Sequence, residues 1–142
     1  MVTISPLKKI DIEVARDINL LLPQLSSRAK KVSGAYLRRV IDPKHGTLFA
    51  VRDGKKIIGM GTVIWIHIPL EFYARIEDMV VDSAYRRRGL GTELMQRLIA
   101  YAKKGGAEFI DLTSRPERAA ENPFYQKFGF QKRETNVYRL LL

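Results

Sequence analysis

A turn rich in arginine and glycine, placed between a strand and a helix, is the feature that most limits how this chain can fold. The extended run Ile76–Val81 leads through residues 82–91 into a helix with apolar residues along one side. That apolar side consists of Leu90, Leu94, Leu98, Ile99 and Ala102. A strand joined to an amphipathic helix predicts an α/β chain in which helices flank a sheet.

The rest of the chain extends this pattern to the order β-α-α-β-β-β-α-β-α-β, with one further closing strand as an option. Asp11 is suited to cap the first helix, and Gly105-Gly106 to end the helix after the turn. The predicted elements are strand 3–9, a helix from 11, a helix from Ser26 or Ser27 to 42, strands 47–52 and 56–68 about Asp53-Gly54, strand 72–82, strand 108–113, helix 118–128 and closing strands within 130–142.

Composition narrows the class of protein further. The 142 residues suit a single domain, 1–142. The chain has no cysteine, which excludes disulfides, thiolate metal sites and a thiol nucleophile, and its two histidines, His45 and His67, predict no metal site. No apolar run is long enough for a membrane span. The first residues lack a signal-peptide pattern, so we expect a cytoplasmic protein.

The arginine turn has the chemistry of an anion site. Free N–H groups and the positive end of a helix dipole attract phosphate, and glycine lets the backbone approach it closely. Arg86, Arg87 and Arg88 add charges suited to a diphosphate, and Gly89 and Gly91 follow them. No Gly-Lys-Ser/Thr follows, which excludes a P-loop, and Leu94 stands where a dinucleotide fingerprint needs its third glycine. A surface turn that merely faces solvent is the alternative.

Two motifs then become recognisable. Arg86-x-x-Gly89-x-Gly91 resembles the Gln/Arg-x-x-Gly-x-Gly/Ala signature of the GNAT superfamily of acetyl-CoA-dependent N-acetyltransferases. Arg118-x-x-x-Asn122-x-x-Tyr125-x-x-x-Gly129-Phe130 resembles the late motif of that family, in the expected order. The resemblance covers roughly residues 47–142 well. It implies a central mixed, mostly antiparallel sheet flanked by about four helices.

The resemblance also implies a set of site residues. Acetyl-CoA would be the co-substrate, with its pyrophosphate on the turn and its pantetheine arm beside the preceding strand like an added strand. Asn122 would contact the arm, and Tyr125 would protonate the leaving thiolate. The implied cofactor-binding residues are Met79, Val80, Val81, Arg86, Arg87, Arg88, Gly89, Leu90, Gly91, Thr92, Asn122 and Tyr125.

Acetyl transfer by direct attack in a ternary complex also needs a base to deprotonate the amine. Strand alternation predicts Glu77, on the same face as Met79 and Val81, acting directly or through water. A β-bulge, frequent in this strand of the family, would favour Asp78 instead. Either carboxylate could equally be a rim charge that attracts a cationic substrate, or could simply pair with Arg75.

The acceptor is left open: a small-molecule amine and a protein or peptide amine both fit. The net charge of +10 also suits a nucleic-acid partner, although its even spread along the chain counts against one. A basic nucleic-acid-binding protein and a catalytically silent CoA-binding module are therefore the alternatives. A basic cluster at Arg28, Lys30, Lys31, Arg38 and Arg39 is interpreted as a solvated helix face, or as a site for an acceptor's carboxylate or phosphate. A homodimer is possible, and no membrane partner is expected.

Overall fold

The computed structural model describes residues 1–115 and 122–142. They fall into two compact units, Met1–Leu112 and Thr113–Leu142. The first unit contains a five-stranded sheet and three α-helices. Its elements are β1 (Val2–Pro6), α1 (Ile12–Leu25), α2 (Gly34–Val40), β2 (Gly46–Asp53), β3 (Lys56–His67), β4 (Phe72–Val81), a 3-10 turn (Ser83–Tyr85), α3 (Leu90–Lys104) and β5 (Ile110–Asp111).

The sheet has the order β1-β2-β3-β4-β5. The first four strands are antiparallel, and β5 runs parallel to β4. The predicted mixed, mostly antiparallel sheet is therefore confirmed. The hairpin between β2 and β3 turns at Gly54, which has a positive φ of 61°. Only a residue that tolerates this left-handed conformation fits there, as the Asp53-Gly54 pair predicts.

Helices cover both faces of the sheet. On one face, Ile18 and Leu21 of α1 belong to a buried cluster with Met60 of β3 and Val80 of β4. On the other face, α3 lies close enough that a Cβ on Gly61 would come within 2.9 Å of Leu98. Because β3 is covered on both sides, its residues from Ile57 to Val63 are all buried.

Helix α1 begins as predicted, whereas α2 does not. Asp11 caps α1, since its Oδ1 accepts a hydrogen bond of 2.8 Å from the Val14 N–H. The predicted start of α2 at Ser26 or Ser27 is wrong: the cap is Ser33, and residues 26–33 form a loop. The side chain of Asn19 binds both the N–H and the C=O of Val32. These main-chain groups are therefore not available to a helix.

Strand β4 contains a bulge. Thr62 lies opposite Glu77 and Met60 lies opposite Val80, so two residues of β4, Asp78 and Met79, oppose one residue of β3. Asp78 has a φ of 51°, which lies in the left-handed region that aspartate tolerates better than most residues. The strand is therefore not regular, and simple alternation fails at this point.

The second unit contains α4 (Asn122–Gln126). The Gly129 N–H binds the Gln126 carbonyl and the Phe130 N–H binds the Tyr125 carbonyl, which closes the helix at Gly129 with its positive φ of 96°. The helix predicted over 118–128 is helical at 122–126; Arg118 lies outside the described residues. The strands predicted within 130–142 are not formed. No ladder hydrogen bonds join this segment to a neighbour in the described structure, and an apolar pattern alone does not make a strand.

Candidate active site

The edge of β4 is open along the half of the strand that contains the bulge. β5 pairs with β4 only at Ala74 and Arg75. In the part of the chain that the structure describes, no strand pairs with this edge from Ile76 to Val81. A row of main-chain donors and acceptors along such an edge can bind an extended ligand as if it were another strand.

The bulge determines which main-chain groups face this edge. Before it, the Ala74 N–H binds the Phe109 carbonyl beside β5. After it, the Asp82 N–H binds Ile58 of β3, so alternation directs Val81 toward the open edge and Val80 toward β3. Of the three predicted backbone sites, Val81 therefore lies on the open edge, Met79 lies in the bulge, and the Val80 main chain faces β3.

The arginine turn lies directly beyond the open edge. Gly89 is the N-cap residue of α3, with φ of 76°, and as a glycine it offers no side chain to cap the first turn. A Cβ at Gly89 would meet no atom within 4 Å, so the glycine is there for its left-handed backbone and leaves open space around it. Arg87 is also left-handed, with φ of 64°. Arg86, Arg87 and Arg88 are exposed beside the N–H groups of Leu90, Gly91 and Thr92.

Contacts from three elements fix the shape of this turn. The Arg86 Nε donates to the Val81 carbonyl at 3.2 Å. Arg88 lies 5.0 Å above the ring of Tyr85, whose hydroxyl donates to Asp53 at 3.0 Å. That hydrogen bond raises the pKa of Tyr85, so the phenol stays protonated. These contacts fix the conformation of the turn, so its arginine side chains lie at the positive end of the α3 dipole. This arrangement is suited to binding phosphate groups.

Two carboxylates lie at the bulge and differ in their surroundings. Glu77 accepts hydrogen bonds of 3.2 and 2.8 Å from the Nε and Nη2 of Arg75. Asp78 is exposed, but nearby protein atoms displace part of its hydration, which raises the pKa of its carboxyl, and the charge of Glu77 raises it further. A carboxylate with a raised pKa holds a proton more strongly than an ordinary aspartate, as a general base requires.

Tyr125 and Asn122 lie on α4 in the second unit. The ring of Tyr125 contacts Phe124 and Phe130 edge to face, at centroid distances of 5.5 and 6.4 Å. The side chain of Asn122 lies outside the described part of the structure. The first unit therefore brings together β4 and the arginine turn, and the predicted roles of Tyr125 and Asn122 stay predictions.

Two contacts that shape the site were not predicted from sequence. Gln24, at the end of α1, accepts a hydrogen bond of 2.9 Å from the Ser83 N–H and so ties α1 to the start of the turn. Arg86 was predicted as a phosphate ligand but not as a partner of the strand end. The Gln24 contact has no local sequence signal, because Gln24 and Ser83 are 59 residues apart in the chain.

Other groups do not add a site. Trp65 stacks on Tyr101 and His67 stacks on Phe72, so both rings pack against neighbouring aromatic side chains. Within residues 1–115 and 122–142, no three His, Cys, Asp or Glu side chains cluster as metal ligands. Among these same residues, no helix has both the length and the apolar character needed to cross a bilayer.

Comparison with known proteins places this geometry in context. Residues 16–130 match the family model described as "Acetyltransferase (GNAT) family". An uncharacterised N-acetyltransferase of Methanocaldococcus jannaschii is 37% identical over 71 residues, which cover 49% of this chain and 31% of that protein. A probable glucosamine 6-phosphate N-acetyltransferase of Oryza sativa is 44% identical over 55 residues, which cover 39% of this chain and 31% of that protein. The match thus spans about a third of each curated relative's length.

A solved structure shares the fold. The chain superposes on an aminoglycoside acetyltransferase from an uncultured soil metagenomic sample with a TM-score of 0.84 and 17% identity. The superposition covers 99% of this chain and 97% of that one. At this level of identity the likeness concerns the fold alone, and it agrees with the sheet and helices described above.

Proposed function

Because this chain belongs to the acetyltransferase (GNAT) family, we propose that it transfers an acetyl group from acetyl-CoA to a primary amine by direct attack in a ternary complex. The observation that carries the proposal is the continuity of the open β4 edge with the arginine turn. The pantetheine arm is an extended chain of amide groups, and a diphosphate follows it. An unpaired strand edge leading into a cationic helix N-terminus complements both parts in that order.

The residues of the first unit fit this ligand. The Val81 N–H at the open edge is suited to bind an amide or to polarise the thioester oxygen. Arg87, Arg88 and the first N–H groups of α3 would hold the pyrophosphate, and the open space at Gly89 would admit it. Acetyl-CoA supplies a thioester, an acyl donor that an uncharged amine attacks without prior activation.

Asp78 is our choice of base, because the bulge displaces the alternation that favoured Glu77 and because Arg75 engages Glu77. Asp78 accepts a proton from the substrate ammonium, directly or through water. The freed nitrogen attacks the thioester carbon, the carbon–sulfur bond breaks, and the Tyr125 hydroxyl gives its proton to the thiolate. The second proton that the nitrogen loses as the amide forms passes to the Tyr125 phenolate, directly or through water, and Asp78 releases its proton to solvent. We place residues 1–142 in one catalytic domain, located in the cytoplasm, in which Asn122 contacts the cofactor arm.

Acetyl-CoA binding is the first test, measured as a thermal shift in moderate salt with ATP as a control polyanion. Binding at about 100 times Kd adds ~2.7 kcal/mol of stability, which raises Tm by roughly 5–10 °C for a chain of this size. Release of the CoA thiol with a panel of amines then tests turnover. Equal shifts with both ligands would mean that the turn recognises charge only. Binding without turnover would identify a silent module.

A substitution in the turn makes the test specific. Arg87→Asn removes a cation while keeping a residue that tolerates φ of 64°. We expect its acetyl-CoA Kd to rise about tenfold, since hydrogen bonds to charged groups contribute about 1.5–3 kcal/mol. Arg97→Ala, an exposed cation further along α3, is the matched control and should bind normally. Equal Kd values for the two variants would contradict a phosphate site at the turn.

A further inference from the structure

A strongly cationic loop joins α1 to α2 and has no role in the proposed cofactor site. This cationic loop, residues 26–33, contains Arg28, Lys30 and Lys31, all exposed. The chain has no acidic residue between Asp17 and Asp42. Within the part of the chain that the structure describes, none of the three cations forms a salt bridge. Their charge is therefore not neutralised by a neighbouring carboxylate.

The backbone of the cationic loop is held in place. Asn19 donates to the Val32 carbonyl at 3.0 Å and accepts from the Val32 N–H at 2.8 Å. At the other end, the Ser26 Oγ accepts from the Arg28 N–H at 3.2 Å. The cations thus project from a loop that Asn19 ties to α1 at Val32 and that begins with a turn at Ser26, which lowers the entropic cost of binding a ligand.

The loop also lies on the face of the sheet that leads to the bulge. Val32 packs against the buried cluster that α1 and α2 form with the sheet, and Val80 of β4, two residues from Asp78, belongs to the same cluster. In the last turn of α1, directly before the loop, the Gln24 side chain accepts a hydrogen bond from the Ser83 N–H. The cationic loop therefore flanks the same end of β4 as the arginine turn but is a separate source of positive charge.

We propose that the amine acceptor carries a phosphate or carboxylate group and that Arg28, Lys30 and Lys31 bind it. This inference rests on the proposed acetyl transfer. Glu77 and Asp78 supply negative charge that attracts the ammonium group of the acceptor, and the cationic loop supplies positive charge for its anionic group. A zwitterionic small molecule matches both, whereas the two carboxylates repel the continuous phosphate backbone of a nucleic acid.

Paired acceptors test this assignment. Glucosamine 6-phosphate is compared with glucosamine to test for a phosphate group. Alanine is compared with alaninamide to test for a carboxylate group. The measured quantity is kcat/KM for CoA release at saturating acetyl-CoA. We expect at least one anionic member to exceed its neutral partner about tenfold. The ratio of kcat/KM for the anionic acceptor to that for its neutral partner should fall to near one in the triple variant Arg28→Ala/Lys30→Ala/Lys31→Ala. The control variant Lys8→Ala/Lys9→Ala, which changes an exposed pair of lysines, should keep the ratio of the original chain.

The outcomes separate the two proposals. Turnover of neutral and anionic amines with equal kcat/KM, in both the unsubstituted chain and the triple variant, would overturn the anionic acceptor but keep the acetyltransferase. Absence of turnover with every amine would overturn the proposed function. Inorganic phosphate then provides an independent measurement on the CoA-saturated protein. A thermal shift that the triple variant loses supports an anion site on the cationic loop, and no shift overturns it.

Salt and nucleic acid complete the test. The KM of the anionic acceptor should rise more steeply with NaCl than that of its partner without the anionic group, because screening weakens the additional charge pairs with the cationic loop. A single-stranded oligonucleotide that binds the chain with a steep salt slope, and loses binding in the triple variant while amine kinetics stay the same, would overturn the proposal in favour of a nucleic-acid surface.

Discussion

Asp78 has both an unusual backbone conformation and an unusual electrostatic environment. Its φ of 51° suits aspartate, asparagine and glycine, and the bulge turns its side chain out of the regular alternation. Its pKa is raised because the ionised carboxylate is partly desolvated and lies beside Glu77. The conformation and the charge can be separated experimentally, since asparagine keeps the first and removes the second.

Asp78→Asn should lower kcat/KM roughly 100-fold, the scale of a lost general base. In the unsubstituted chain the rate of the proposed acetyl transfer should fall as the pH drops through a pKa above that of an ordinary aspartate, because the protonated carboxyl accepts no proton. This acidic limb should vanish in the variant. Normal activity in Asp78→Asn together with inactive Glu77→Gln would assign the base to Glu77.

Asp78→Asn, which we expect to lower activity, should not lower the stability of the fold. A folded-state pKa raised above the unfolded value contributes stability at low pH that is lost as the pH rises through the folded pKa. At pH 7 the ionised Asp78 is therefore unfavourable for folding, and Asp78→Asn should have a Tm equal to or above that of the original chain. Thermal unfolding at pH 5 and 7 measures the difference; a marked loss of Tm at pH 7 would contradict it.

Tyr125 can be tested against a tyrosine in the same unit. Tyr125→Phe should lower kcat roughly 100-fold, because it removes the proton for the leaving thiolate, and should leave the Kd of acetyl-CoA nearly constant. Tyr138→Phe alters a side chain that is 88% exposed and should behave like the original chain. An unchanged kcat in Tyr125→Phe would remove this residue from the mechanism.

At the scale of elements, Asn19 joins α1 to the cationic loop. Its side chain binds Val32 twice and also donates to the Ala15 carbonyl at 2.8 Å. Asn19→Ala leaves the Val32 groups, which are half-buried, without these partners. We expect a loss of about 1–3 kcal/mol in the free energy of unfolding, measured by urea denaturation. Asn136→Ala, at an exposed position, should change it by less than about 0.5 kcal/mol.

The elements also divide into those that local pattern predicts and those that it does not. The cap at Asp11, the hairpin at Asp53-Gly54 and the end of α3 at Gly105 follow from neighbouring residues alone. The predicted start of α2 fails because Asn19, 13 residues away from Val32, takes its main-chain groups. Helical periodicity records which face is apolar, but it carries no information about such a contact.

At the scale of the whole molecule, the net charge of +10 should strengthen the binding of anionic ligands at low salt. Since screening shortens the reach of charge from about 10 Å at 0.1 M salt to about 3 Å at 1 M, the KM for acetyl-CoA should rise with salt. The slope should be smaller in Arg87→Asn than in Arg97→Ala. Salt-independent KM values in both variants would contradict an electrostatic contribution from the turn.

The sequence by itself determined the order of the central elements, the amphipathic α3 and the arginine turn, because each depends on residues close together in the chain. Tertiary structure decided the bulge at Asp78, the brief pairing of β5 with β4 and the position of the cationic loop. A strand's register depends on a partner strand, and a side chain's direction changes with a one-residue shift in that register. The preference for Asp78 over Glu77 as the proposed base therefore depends on the paired strands.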